Sequence, residues 1–86
     1  MNLFFEKRNS DVIIEADTKV MAEINGNLTV LPGAKLELTA PVQGDLILKK
    51  YSKASIGAEV NGIVYDEGAS LEIAKDIVIR YGKIKK

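Results

Sequence analysis

A chain of 86 residues makes one small domain, near the size below which a single core stops being self-sufficient. Its 47% hydrophobic content supplies a core, while 28% charged residues with a formal net charge of zero give no global field to hold nucleic acid or an anionic membrane. Cysteine and histidine are both absent, which removes disulfides, thiolate zinc sites, the commonest general base and the commonest metal ligand together.

The opening MNLFFEKRNSD is too short and too soon acidic for a secretory signal, and no later run approaches the ~20 apolar residues of a membrane helix. A cytoplasmic location with no membrane span is therefore expected. Residues 1–11 read as an N-terminal cap or edge. Leu3, Phe4 and Phe5 either fold over the core or offer a sticky edge for self-association.

From residue 12 to residue 79 the chain repeats itself. Gly26, Gly44 and Gly62 fall at a spacing of eighteen, each preceded by a polar and then an aliphatic residue. Apolar pairs follow in step: Leu28 and Val30, Leu46 and Leu48, then Leu36 and Leu38, Ala54 and Ile56. The last unit carries Leu71 and Ile73 one residue early, so its turn has lost a position. A weaker copy, two residues shorter, precedes the series, with Val12 and Ile14 at the first strand position and Val20 and Ala22 at the second. A fixed period with alternation inside it predicts a solenoid of short strands, and glycines in every unit argue against helices. Eighteen residues suit three short faces, so the fold class is all-β, a single-domain triangular β-solenoid of about four coils. The predicted inward set is Val12, Ile14, Val20, Ile24, Leu28, Val30, Leu36, Leu38, Val42, Leu46, Leu48, Ile56, Val60, Val64, Leu71, Ile73 and Ile77. Asn-Gly and Gln-Gly mark one corner, where positive φ is expected, and Pro32-Gly33 and Glu67-Gly68 mark a second.

Outward residues then form columns, and these are the candidate sites. Ile13, Thr29, Ile47 and Tyr65 make an apolar column. It suits a protein interface. Lys19, Lys35 and Lys53, ended by Ser70, make a second column of a solvated mixed-charge face. Asp45, Glu59, Asp66 and Glu67 gather around the late turn as an acidic patch fit for a basic partner. Residues 80–86 form a basic C-terminal edge through Arg80, Lys83, Lys85 and Lys86, a composition that discourages edge pairing. No phosphate-binding loop, dinucleotide fingerprint or nucleophile elbow occurs. No enzymatic activity, no cofactor, no metal and no nucleic-acid partner are expected.

Residues 20–73 resemble the bactofilins, bacterial polymer-forming cytoskeletal proteins built as triangular β-helices. The resemblance is carried by Ile24-Asn25-Gly26-Asn27-Leu28, Val42-Gln43-Gly44-Asp45-Leu46 and Val60-Asn61-Gly62. It implies a structural scaffold that assembles end to end. The chain also looks like the short stand-alone solenoids of bacterial genomes, which implies a soluble antagonist such as an immunity protein neutralising a toxin domain. On that reading the partner meets Ile13, Thr29, Ile47, Tyr65, Asp66 and Glu67.

Overall fold

The computed structural model describes residues 2–82, and every regular element among them is a short β-strand. In chain order these are β1 (Asn2–Phe4), β2 (Val12–Ile14), β3 (Thr18–Val20), β4 (Leu28–Val30), β5 (Lys35–Leu38), β6 (Leu46–Leu48), β7 (Lys53–Ile56), β8 (Ile63–Asp66), β9 (Ser70–Ile73) and β10 (Arg80–Tyr81). Odd-numbered strands stack as one parallel sheet, β1-β3-β5-β7-β9, and even-numbered strands as another, β10-β8-β6-β4-β2. A third side consists of single parallel bridges joining Arg8, Ile24, Val42 and Val60. The result is a three-sided β-solenoid of about four turns, as the eighteen-residue period predicts.

The core is the sum of the inward columns. Leu28, Leu46 and Val64 stack on one side, Leu36, Ala54 and Leu71 on the second, and Ile24, Val42 and Val60 on the third. Each coil offers few apolar side chains, so burial comes from stacking one coil on the next. Of the predicted inward set, Val12, Leu71, Ile73 and Ile77 are only partly buried, since they lie in the terminal coils; the others are buried. Thr18 and Ser52 are also buried, with their hydroxyls bonded to the carbonyls of Ala16 at 2.8 Å and Lys49 at 2.6 Å.

The first corner works differently from the sequence expectation. Gly26, Gly44 and Gly62 do not have positive φ; among the described residues that conformation belongs to Gly33, Tyr51 and Gly68. What the three glycines supply is the absence of a Cβ. A Cβ at Gly44 would lie 2.5 Å from the carbonyl oxygen of Gly26, and one at Gly62 would lie 2.5 Å from that of Gly44. One at Gly26 would collide with the carbonyl of Ser10. The freed space admits coil-to-coil bonds, from Gly44 N–H to the Gly26 carbonyl and from Gly62 N–H to the Gly44 carbonyl, both 3.1 Å.

Beside the glycines runs a side-chain ladder. Asp11 Oδ1 accepts from Asn27 N–H at 2.9 Å, Asn27 Oδ1 from Asp45 N–H at 2.8 Å, and Asp45 Oδ1 from Ile63 N–H at 2.8 Å. A short polar side chain thus replaces the backbone acceptor that a bent strand cannot offer to the coil above it.

The second corner absorbs the length changes. Leu31-Pro32-Gly33-Ala34 closes by Ala34 N–H to the Leu31 carbonyl, with Gly33 at φ 84°, the residue pattern of a type II turn. One coil later, Tyr51 takes the same place at φ 68°, a conformation that costs a residue with a Cβ roughly 1–2 kcal/mol. In the following coil Asp66 Oδ1 gathers the N–H groups of Gly68 at 2.9 Å and Ala69 at 2.7 Å, which closes a turn one residue shorter.

In the first coil the same corner has lost two residues, and this shifts the register. Thr18 pairs with Leu36 and Val20 with Leu38, so the inward pair is Thr18 and Val20 rather than the expected Val20 and Ala22. Residues 2–14 form the first described coil: β1 pairs with β3, Arg8 bridges Ile24 and β2 pairs with β4, so the segment read as a cap or edge is part of a coil.

The ends break the glycine rule. Ser10 takes the glycine position in the first coil, since Arg8 pairs with Ile24 and Val12 with Leu28. Ile79 takes it in the last, since Arg80 pairs with Ile63. The bridges on the third side stop at Val60, and Ile77 N–H instead bonds the Ala74 carbonyl at 3.0 Å.

Replacing Gly44 by alanine should destabilise the fold by about 2–3 kcal/mol, because the new methyl group meets the Gly26 carbonyl and the Asn27 Oδ1, which is itself held by the Asp45 N–H. Replacing Tyr51 by glycine should instead stabilise by about 1 kcal/mol. Thermal unfolding of both variants checks the pair, and a tolerant Gly44→Ala would refute the steric account.

Candidate functional site

Two surfaces collect the residues singled out in the sequence. The first is the outer face of the even-numbered sheet. Ile13, Thr29, Ile47 and Tyr65 are direct register partners on β2, β4, β6 and β8, so the apolar column exists as expected. Neighbouring strands lie about 4.8 Å apart, which makes a narrow ridge rather than a broad patch. Ile13 is 60% exposed, whereas Thr29, Ile47 and Tyr65 are half-buried by their neighbours. Gly82 packs against the Tyr65 ring and Ile63.

The two acidic members of the predicted site stand at the corner beside this ridge, and both have structural duties. Asp66 caps the shortened turn. Glu67 pairs with Lys49 one coil below, at 3.0 Å. The wider acidic patch does not form, because Asp45 belongs to the first-corner ladder and Glu59 flanks Val60 on the third side. The eighteen-residue period, carried across corners of unequal length, hid this dispersal.

The lysine column is also rearranged. Lys35 and Lys53 are register partners with Ser70 beyond them, but Lys19 pairs with Glu37. The two-residue deletion in the first coil moves Asp17 beside Lys35, where its Oδ1 accepts the Lys35 N–H at 3.1 Å. A shallow depression of about 380 Å³ there is lined by Lys35, Glu37, Lys53, Ser55, Ser70 and Glu72. Both charge signs line it, as a solvated mixed face requires.

The second surface is the N-terminal end of the stack. Leu3 points outward and is 52% exposed, and Phe5 is 63% exposed. Met21 lies one coil up from Phe5, with its N–H bonded to the Phe4 carbonyl at 2.8 Å. Phe4 turns inward, half-buried against the core, with the Arg8 guanidinium 5.2 Å from its ring centroid. Leu3, Phe5, Ile13 and Met21 make up four of the seven exposed large apolar side chains among the described residues. Leu3 and Ile13 border an open mouth of about 270 Å³ that reaches Phe4, Val12 and Ile14. Sequence reasoning had separated Ile13 from Leu3 and Phe5, but the first coil joins them.

At the C-terminal end Arg80 and Tyr81 form β10, and the Arg80 guanidinium donates to the Asn61 carbonyl at 3.2 Å. Lys83, Lys85 and Lys86 of the expected basic edge lie outside the described residues. Among the described residues no group of three His, Cys, Asp or Glu side chains is placed to hold a metal ion. Searches against protein-family models, curated proteins and solved structures return no match to this chain.

The two acids should separate by their structural roles. Asp66→Ala removes the acceptor for two turn amides and should cost about 1–2 kcal/mol of stability, while Glu67→Gln loses a partly exposed ion pair and should cost under about 1 kcal/mol. Chemical denaturation of both variants measures this; equal costs would contradict the capping role of Asp66.

Proposed function

We propose that the chain is a non-catalytic protein-binding β-solenoid, acting as a soluble antagonist of one protein partner in the manner of an immunity protein against a toxin domain. The observation that carries this reading is the clustering of exposed apolar side chains on the first coil, continuous through Ile13 with the outward ridge of Thr29, Ile47 and Tyr65. Exposed apolar surface concentrated in one place on a small protein is characteristic of an interface. Along the ridge, β4, β6 and β8 are held by ladders on both sides and present it without an ordering cost, which favours affinity. The missing histidine and cysteine support binding rather than catalysis.

A bactofilin-like scaffold assembling end to end is the second reading. Its support is the unpaired edge of β1 and β2 at one end of the stack.

Sedimentation velocity over a wide concentration series separates the two. The antagonist reading expects a monomer throughout, and growth into long assemblies would replace it with the scaffold. Co-expression with the product of the adjoining reading frame should give a complex of fixed stoichiometry. The double variant Ile47→Glu, Tyr65→Glu should fold and lose that complex, by at least about tenfold in affinity. Retention of full affinity would remove the ridge from the interface.

A further inference from the structure

Two of the corner glycines follow asparagine, as Asn25-Gly26 and Asn61-Gly62. Such a pair is chemically unstable, because the glycine nitrogen carries no neighbouring side chain to shield it and can attack the asparagine side-chain carbonyl. The bond from glycine nitrogen to Cγ forms, the Cγ–Nδ2 bond breaks, and ammonia leaves with the former amide proton. Water then opens the five-membered imide at either carbonyl. One opening gives aspartate; the other gives isoaspartate, with the backbone rerouted through the side chain. In a folded chain the reaction waits for the peptide group to rotate and for its hydrogen bonds to open.

The fold holds the two side chains alike and the two peptides differently. Asn25 Nδ2 donates to Asn9 Oδ1 at 2.8 Å, and Asn61 Nδ2 donates to Gln43 Oε1 at 2.5 Å. Gly62 N–H bonds the Gly44 carbonyl at 3.1 Å, and the Asn61 carbonyl accepts from the Arg80 guanidinium at 3.2 Å. That peptide group is fixed at both its atoms. Among the described residues the Asn25–Gly26 peptide has a partner at neither: the Gly26 N–H lacks the bond to the coil below that Gly44 and Gly62 both make. The middle corner, Gln43-Gly44, would need a six-membered ring, which closes far more slowly.

We propose that Asn25-Gly26 is a site of spontaneous deamidation, and that its isoaspartate product loosens the first coil. Gly26 lies against the Ser10 carbonyl and the Asp11 nitrogen so closely that a Cβ has no room. Isoaspartate puts one extra backbone atom directly before this glycine. The Asn27 N–H, bonded to Asp11 Oδ1 at 2.9 Å, cannot then keep its place while Gly26 keeps its own. The Asn25 donor to Asn9 is lost in the same step. These contacts tie residues 9–11 to residues 25–27, beside the β1–β3 and β2–β4 pairings that complete the joint between the first two coils. Later coils are stacked by contacts of their own, so the change stays at this end. The inference goes beyond the binding proposal and does not depend on it. The loosened coil does carry Leu3, Phe5 and Ile13, so the reaction limits how long that surface keeps its shape.

The test is to age the whole chain in mildly alkaline buffer, folded and in urea, and to map it with trypsin, which releases residues 20–35 and 54–75. In the folded chain the gain of one mass unit should accumulate at Asn25 at least about tenfold faster than at Asn61, whose peptide must first break its bonds. In urea the two rates should converge. Asn25→Gln should abolish the gain in residues 20–35 and leave the Asn61 rate unchanged. The isoaspartate form, separated by its added charge, should exchange the Val12 and Met21 amides at least about tenfold faster than the parent, since these bond across the first joint. The Gly62 amide should exchange as before. Equal rates at the two asparagines of the folded chain, a faster gain at Asn61, or a gain that fragmentation places at Asn27 would each overturn the inference. So would a folded chain that stays unmodified while the unfolded one reacts, or an isoaspartate form that exchanges like the parent.

Discussion

Coils of this solenoid lie so close at the first corner that the carbonyl oxygen of the neighbouring coil, joined at Gly44 and Gly62 by the Oδ1 atoms of Asn27 and Asp45, fills the space where each glycine would carry a Cβ. That contact sets the distance between successive turns. It requires Gly26, Gly44 and Gly62 to lack a Cβ, and it lines up the strands on either side in register. The Asp11–Asn27–Asp45 ladder follows from the same closeness: a chain bending through a corner cannot aim every carbonyl at the coil above, and a short polar side chain supplies the missing acceptor. With the corner in place, each inward side chain meets its equivalents in neighbouring coils, and the core becomes a set of columns.

The other corner is free to vary because its glycines have room for a Cβ: nothing lies within 4 Å of that position at Gly33, and at Gly68 the nearest atom is the Lys50 side chain at 3.4 Å. There the chain uses Pro-Gly, then a tyrosine in the left-handed region, then an Asp-capped shorter turn. It also drops two residues between β2 and β3 without losing either sheet. Length differences collect where spacing is unconstrained. At the tight corner the two terminal coils carry Ser10 and Ile79 in place of glycine. The surface available for recognition follows from this division. Flanks of the stack are half-covered ridges, while the first coil exposes apolar side chains and unpaired strand edge together.

Much of this was legible from spacing. Period and alternation identified the solenoid, and the core residues of the middle coils, such as Leu28, Leu46 and Leu36, follow directly from counting by eighteen. The Ile13–Tyr65 column was equally legible, because the Val12 and Ile14 pair matches Leu28 and Val30 and fixes Ile13 beside Thr29 despite the shorter first unit. Lys19 and Asp66 were not. Lys19 sits just beyond the two-residue deletion, and counting cannot say on which side of a short polar stretch the missing residues fall. Asp66 reads as surface acid until its turn amides are seen converging on it.

Read alone, the amino-acid order settles the architecture, the inward residues of the central coils and the absence of histidine and cysteine chemistry. These depend on periodicity and composition, which survive any error of one or two residues in register. Only the folded chain decides why the corner glycines are glycines, which lysine faces which carboxylate, and that Leu3, Phe5 and Ile13 border one open end. Those outcomes depend on distances between residues sixteen to eighteen apart in sequence, where a displacement of a single peptide changes the neighbour.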